Sequence, residues 1–124
     1  MSHPMKIDVI SQDGETALKL TIGTQVKVLD GAGVEELVAR LALMRASMRP
    51  PVAHEPLRTK QYVIEVDPCW LAQPNAAGDG AVLFLRHSGL GWTGFALPQE
   101  SIEKLSGEFA DYIAAPVAPN GTAH

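Results

Sequence analysis

The chain has 124 residues, of which 46% are hydrophobic and 19% are charged, and its net charge is −4. This length and composition are typical of one globular domain with a single core, and they exclude a disordered chain. The one cysteine excludes an intramolecular disulfide. The sequence offers no zinc framework either, so neither a metal nor another cofactor is expected.

The start of the chain and its hydropathy predict a cytoplasmic protein. The N-terminal segment lacks the charged lead and the apolar stretch of a signal peptide. No run approaches the roughly 18 apolar residues that a membrane-spanning helix needs. We therefore expect no membrane association.

The N-terminal third is predicted to form strands. Residues 6–9 and 18–22 alternate apolar and polar side chains on either side of Asp13-Gly14. Because Asp and Gly both tolerate the positive φ angles of tight turns, this pattern predicts a β-hairpin. A third short strand over residues 26–29 follows Gly23, which is predicted to be a second turn or a bulge.

A helix is predicted to begin after Asp30, whose carboxylate can cap its first turn. Its apolar residues follow helical spacing and form one stripe: Val34, Leu37, Val38, Leu41, Met44 and Met48. Leu43 falls nearly opposite this stripe, whereas Arg45 falls inside it. The helix must end before Pro50-Pro51, because proline cannot continue a helix.

The second half repeats the order of strands and then a helix. Residues 50–59 are predicted to be an extended connector. The alternation over residues 61–66 predicts a strand that Asp67-Pro68 ends or bends, with residues 69–72 as its continuation beyond the bend. Residues 81–87 and 92–97 are predicted strands joined by a turn at 88–91, and a helix follows from Pro98.

This order, β-β-β-α-β-β-β-α, predicts the α+β class. Local hairpins favour a mainly antiparallel sheet of five to six strands, and two one-sided helices can cover one face of it as a two-layer sandwich. The opposite face is then either polar or covered by a second copy of the chain. We expect a single domain over residues 1–114 and a flexible tail over residues 115–124.

Two sequence patterns resemble chemical motifs without their structural context. The segment Gly89–Gly94 has the glycine spacing of a dinucleotide-binding loop, but a short apolar run stopped by Pro98 follows it instead of a helix. A hairpin turn is therefore favoured. Cys69 has no neighbouring cation to activate its thiol, so a buried, inert cysteine is expected. We assign no catalytic residue and no metal ligand.

His87 is the titratable residue with the clearest chemical potential. It follows Arg86 at a predicted strand end, and a carboxylate from Glu65 or Asp67 on the same face would orient its imidazole for acid–base chemistry. A histidine at a strand end is more commonly a surface residue, since no nucleophile or metal partner is spaced to join it. This acid–base or small-ligand site is the alternative hypothesis.

The leading hypothesis is a non-enzymatic interaction module that acts as a homodimer or with a protein partner. It depends on the uncovered sheet face and on exposed apolar positions. The candidate contact residues are Asp67, Trp70, Arg86, His87 and Trp92.

A third hypothesis concerns the uneven distribution of charge. Residues 1–60 contain eight Lys and Arg and seven Asp and Glu, whereas residues 61–124 contain two and seven. The basic residues cluster within 40–60, namely Arg40, Arg45, Arg49, Arg58 and Lys60. This cluster is a candidate docking site for an acidic partner, while the negative net charge argues against nucleic acid.

Overall fold

The structure is a computed structural model and describes residues 4–116. Over this range the chain is an α+β protein with the element order predicted from the sequence. The elements are β1 (Met5–Gln12), β2 (Glu15–Ile22), β3 (Gln25–Leu29), α1 (Gly31–Ser47), β4 (Trp70–Pro74), β5 (Ala81–His87), β6 (Gly91–Leu97) and α2 (Gln99–Ala114).

Two compact units divide the chain, Met1–Ile64 and Glu65–His124, and each has the order β-β-β-α. That they form one domain over residues 1–114 stays a prediction. The tail predicted for residues 115–124 lies, from residue 117 onward, outside the described residues.

The sheet of the first unit is an antiparallel meander, β1-β2-β3. Asp13 and Gly14 have φ angles of 53° and 82°, and they join the paired residues Gln12 and Glu15. Both positive angles fit a tight two-residue turn, which confirms the predicted hairpin. Gly23, with φ of 60°, makes the second turn and not a bulge.

Helix α1 begins at the predicted cap and packs over only part of its length. The Oδ1 atom of Asp30 accepts a hydrogen bond from the Gly33 amide at 2.8 Å. The helix contacts β2 and β3, and Val34, Leu37 and Val38 are half-buried. From residue 39 to its end every residue is exposed, so the apolar stripe continues into solvent.

The second unit holds the other antiparallel meander, β4-β5-β6. Residues 88–90 connect β5 to β6, and Gly91 has φ of 84° where β6 begins. The glycines of the Gly89–Gly94 segment therefore belong to a hairpin, as its context predicted. Helix α2 follows Pro98 and contacts β6.

The loop before β5 is joined to the start of α2. Gly80 has φ of 81°, and a Cβ atom placed on it would overlap the backbone of Leu97 and Pro98. Next to it, the Oδ2 atom of Asp79 accepts a hydrogen bond from the Gln99 amide at 3.3 Å. This bond satisfies one of the free amides that open a helix.

The predicted arrangement of strands needs two corrections. The described strands form two three-stranded sheets and not one sheet of five to six strands, because each meander is completed by its own hairpins. Residues 61–66 are not a strand; the strand lies at Trp70–Pro74, which pairs with β5. The alternation over 61–66 was misleading because β5 already has both its neighbours, β4 and β6.

The predicted burial of Cys69 was also wrong, because its side chain is exposed. Its backbone carbonyl accepts a hydrogen bond from the Arg86 amide at 3.0 Å, which extends the pairing of β4 with β5 by one residue. None of the helices within residues 4–116 has the length and apolar character needed to cross a bilayer.

Candidate functional site

The predicted site residues gather around the turn between β5 and β6, but they do not form one cluster. Arg86 and His87 end β5, and the structure brings Glu65 to His87. Asp67 is exposed, with a positive φ of 46°, and makes no side-chain hydrogen bond or ion pair with another described residue. Of the two candidate carboxylates, only Glu65 therefore reaches the histidine.

The Glu65 carboxylate binds the turn through Ser88. Its Oε1 atom accepts hydrogen bonds from the Ser88 amide at 2.8 Å and from the Ser88 hydroxyl at 2.9 Å. These two bonds are the main reason that the pKa of Glu65 is lower than its ordinary value. Partial desolvation raises this pKa, while nearby His87 and Arg86 lower it by smaller amounts. The carboxylate is therefore held in its ionised form.

His87 is used as a hydrogen-bond acceptor in the same turn. Its Nδ1 atom accepts from the Gly89 and Leu90 amides, both at 3.0 Å. An accepting Nδ1 carries a lone pair, so the pattern assigns the proton of the neutral ring to Nε2. The 3.9 Å separation between Nδ1 and Glu65 Oε1 is not a hydrogen bond, because both atoms are then acceptors.

The hydrogen bonds of Glu65 and His87 stabilise the turn between β5 and β6. They differ from the hydrogen bonds that activate a nucleophile. In a nucleophilic site the serine hydroxyl donates to a histidine, which a carboxylate orients from its other side. Here the Ser88 hydroxyl donates directly to Glu65, and His87 binds backbone amides. Ser88 was not among the site residues predicted from the sequence. Its place in a tight turn was the available signal, because serine there commonly donates to a nearby acceptor.

The two tryptophans lie on opposite faces of the sheet of the second unit. Trp70 pairs with Leu85, and Trp92 pairs with Arg86, the next residue along the same strand. Because neighbouring residues of a strand point to opposite faces, the tryptophans do not form one continuous patch on this sheet. Both rings are exposed, and Arg86 lies beside Trp92 on its face.

The first unit contains a concave surface that the sequence did not predict. We call it the connector groove; it has a volume of about 670 Å³ and lies between the end of α1 and residues 52–64. Its apolar lining includes Val52, Leu57, Tyr62 and Ile64. Its charged side chains are two cations, Arg45 and Lys60, and one carboxylate, Glu55. The groove thus combines an apolar wall with a small excess of positive charge.

Local hydrogen bonds shape the connector groove. The Nη1 atom of Arg45 donates to the Pro50 carbonyl at 3.1 Å, which fixes the chain as it leaves α1. The Leu57 amide donates to the Tyr62 hydroxyl at 2.9 Å, and the Nζ atom of Lys60 lies 5.6 Å from the centre of the Tyr62 ring. These contacts explain why a segment with no regular structure keeps a concave form.

A smaller apolar cleft of about 350 Å³ lies along α2 in the second unit. It is lined by Leu97, Ile102, Leu105, Phe109 and Ile113, with Ser106 as its polar edge. Exposed Phe109 and Ile113 show that the C-terminal half of α2, like that of α1, keeps apolar side chains in solvent.

Within residues 4–116 no three His, Cys, Asp or Glu side chains converge in a metal-binding geometry. Comparison of the chain with protein-family models, with curated proteins and with solved structures found no match. The surfaces and hydrogen bonds of the chain itself are therefore the basis for assigning a function.

Proposed function

We propose that the protein is a non-enzymatic interaction module that acts as a homodimer. The observation that carries the proposal is an exposed apolar surface formed by the C-terminal half of α1 and the residue after it. Leu41 and Met44 in the helix and Met48 next to it are 55%, 60% and 57% exposed. An amphipathic helix of a globular protein ordinarily turns such a stripe toward a core. Here the stripe extends beyond the half of the helix that packs on β2 and β3.

The free energy available from this surface suits association. Full burial of a leucine or methionine side chain contributes roughly 1.5–3 kcal/mol. Three such side chains from each copy offset a substantial part of the about 4–15 kcal/mol that association costs. Monomeric proteins rarely leave a contiguous apolar surface of this kind uncovered.

A second copy would also cover the apolar face of β1. Met5, Ile7 and Val9 alternate along that strand and are exposed. The sequence predicts that a sheet face left open by the helices is either polar or covered by a second copy, and this proposal takes the second alternative. Placement of the dimer in the cytoplasm stays a prediction.

Sedimentation velocity at micromolar concentration tests this proposal. We expect a dimer for the native chain and a monomer of unchanged circular dichroism for the double variant Leu41→Glu/Met48→Glu. Leu43→Glu is the matched control, because Leu43 is 74% exposed and lies on the opposite side of α1, so this variant stays dimeric. A native chain that remains monomeric throughout the concentration series would refute the proposal.

A second candidate function is a small-ligand or acid–base site around Glu65, His87 and Arg86. The observation that favours it is that His87 and Glu65 lie side by side at one turn, with their side chains only 21% and 26% exposed. Titration with inorganic phosphate or acetate, followed through the ring protons of His87 by NMR, tests it. Saturable shifts would support a small-anion site; ring signals that stay fixed at millimolar ligand would remove it.

A further inference from the structure

We infer that the connector groove of one copy binds helix α2 of a second copy. This inference rests on the proposed homodimer and names the two elements that meet in it. It follows from the complementary chemistry of two surfaces, one in each unit of the chain, that are both exposed and both incomplete.

The groove is suited to an acidic amphipathic segment. Its walls are apolar at Val52, Leu57 and Ile64. In its lining two cations, Arg45 and Lys60, outnumber one carboxylate, Glu55. Arg45 also lies inside the apolar stripe of α1, so the groove continues the surface formed by Leu41 and Met48. A partner that fills it must therefore present apolar side chains flanked by carboxylates.

Helix α2 presents this pattern. Leu105, Phe109 and Ile113 are exposed and lie on one side of the helix at helical spacing. At 100° per residue, Glu103 and Glu108 fall on either flank of that side. Glu108 makes no ion pair with any residue in the range 4–116, and Glu103 accepts only a 3.3 Å hydrogen bond from Gln99. Both carboxylates are therefore available to pair with a cationic partner.

The charges of the two units support the same pairing. Residues 1–64 hold eight Lys and Arg against seven Asp and Glu, while residues 65–124 hold two against seven. The cationic excess of the first unit is concentrated near the groove, and four of the seven acidic residues of the second unit lie on α2. Opposite potentials on two surfaces accelerate their encounter and fix its register.

Two-fold symmetry makes the contact reciprocal. Each copy supplies one groove and one α2 helix, so a closed dimer contains the same groove–helix contact twice. Two equivalent contacts double the buried surface without requiring a second kind of interface. They also allow a charge-exchange experiment in which the partner can be identified as another chain.

The experiment uses two full-length double variants. The groove variant is Arg45→Glu/Lys60→Glu, and the helix variant is Glu103→Lys/Glu108→Lys. Each places like charges opposite each other in both contacts of its own dimer, so we expect the dissociation constant from sedimentation to rise at least about tenfold for each. Mixing the two variants in equal amounts should restore dimers, because every contact in the mixed dimer then joins opposite charges.

Each control makes the same change in net charge as the variant it matches, with its substitutions placed away from the contact. Lys6→Glu/Lys19→Glu alters the face of the first sheet opposite Met5, Ile7 and Val9. Glu100→Lys/Asp111→Lys alters the side of α2 opposite its apolar residues. Both controls should dimerise like the native chain. Circular dichroism of every variant establishes that its secondary structure is retained.

The possible results separate this inference from the proposed homodimer. If the groove and helix variants dimerise as tightly as the native chain, the homodimer stands and the groove–helix contact is refuted. If both variants dissociate but their mixture does not recover, opposite charges do not join the groove of one copy to α2 of the other, and the inference also fails. A monomeric native chain would refute the homodimer together with it.

Salt dependence gives a test that requires no variant. The native dimer should weaken as ionic strength rises from low to high, because screening reduces attraction between partly exposed charges. An unchanged dissociation constant across that range would overturn the charge-directed contact even if the substituted proteins failed to fold.

Discussion

The ring of Phe84 lies over Gly94 across the β5–β6 pair, so close that a Cβ atom on Gly94 would stand 2.8 Å from Cε1 of the ring. The aromatic ring takes the space that a side chain at residue 94 would need. This contact explains why a residue of low strand propensity occupies the middle of β6.

The first prediction is that Gly94→Ala destabilises the protein. The added methyl group must displace the Phe84 ring, and overpacking of this kind costs about 1–2 kcal/mol in free energy of unfolding. Urea denaturation at fixed protein concentration measures the change. The matched control is Gly107→Ala in α2, where a Cβ meets no atom within 4 Å and should stabilise the protein by about 0.5–1 kcal/mol. Equal effects at the two positions would contradict the contact.

The second prediction concerns the cap of α1. Asp30→Ala removes the acceptor of the 2.8 Å bond from the Gly33 amide and should lower the free energy of unfolding by about 1 kcal/mol. Asp30→Asn keeps an oxygen acceptor on a side chain of the same length. Its free energy of unfolding should therefore stay close to that of the native chain. The midpoint of urea unfolding reports both changes; an alanine variant as stable as the native chain would show that the cap contributes nothing.

The third prediction is a pH dependence that originates at Glu65. Its pKa is lower in the folded chain than in the unfolded chain, so the carboxylate stabilises the fold above the unfolded-state pKa of about 4.3. That stabilisation is lost as the pH falls from there through the lowered folded-state pKa. Glu65→Gln should therefore flatten the acid limb of the stability curve, measured as the unfolding midpoint between neutral and acidic pH.

A companion variant identifies the cause of this effect. Ser88→Ala removes the 2.9 Å hydroxyl bond to Glu65 and keeps the 2.8 Å bond from the backbone amide. It should reduce the acid dependence only in part. If Glu65→Gln leaves the acid limb as steep as before, other carboxylates cause it.

The fourth prediction is that His87 protects the amides of its own turn. Replacing His87 with alanine removes the Nδ1 acceptor of the Gly89 and Leu90 amides. Loss of a hydrogen bond worth about 0.5–1.5 kcal/mol should speed hydrogen exchange at each amide roughly 2–10-fold. Exchange measured residue by residue by NMR tests this, with His54→Ala as the control that leaves both amides unaffected.

Local signals in the sequence predicted the local parts of the fold. The Asp13-Gly14 turn, the Asp30 cap and the hairpin at residues 88–90 each depend on residues a few positions apart, and the structure confirms all three. The element order followed from these signals, because alternation and helical spacing are read within short windows.

The errors concern relationships between distant residues. The alternation over residues 61–66 cannot be told from that of a true strand. A strand, however, needs a neighbouring strand with free backbone groups. The edge of β5 that residues 61–66 could have joined is already paired with β4. The division into two sheets depends likewise on which strands meet. The bonds from Glu65 to Ser88 span 23 residues, so no window that contains one end of the interaction reveals the other.

The junction of Gly80 with the backbone at Leu97 has a practical consequence for engineering the protein. The loop before β5 and the start of α2 are held together by two contacts. Gly80 packs against the backbone at Leu97, and Asp79 accepts a hydrogen bond from the first amide of the helix. A fluorophore or an inserted peptide placed in that loop would tilt α2 and disturb any surface the helix presents. The exposed residues Gln12 and Glu15, which flank the turn of the β1–β2 hairpin, are positions where a label leaves both helices undisturbed.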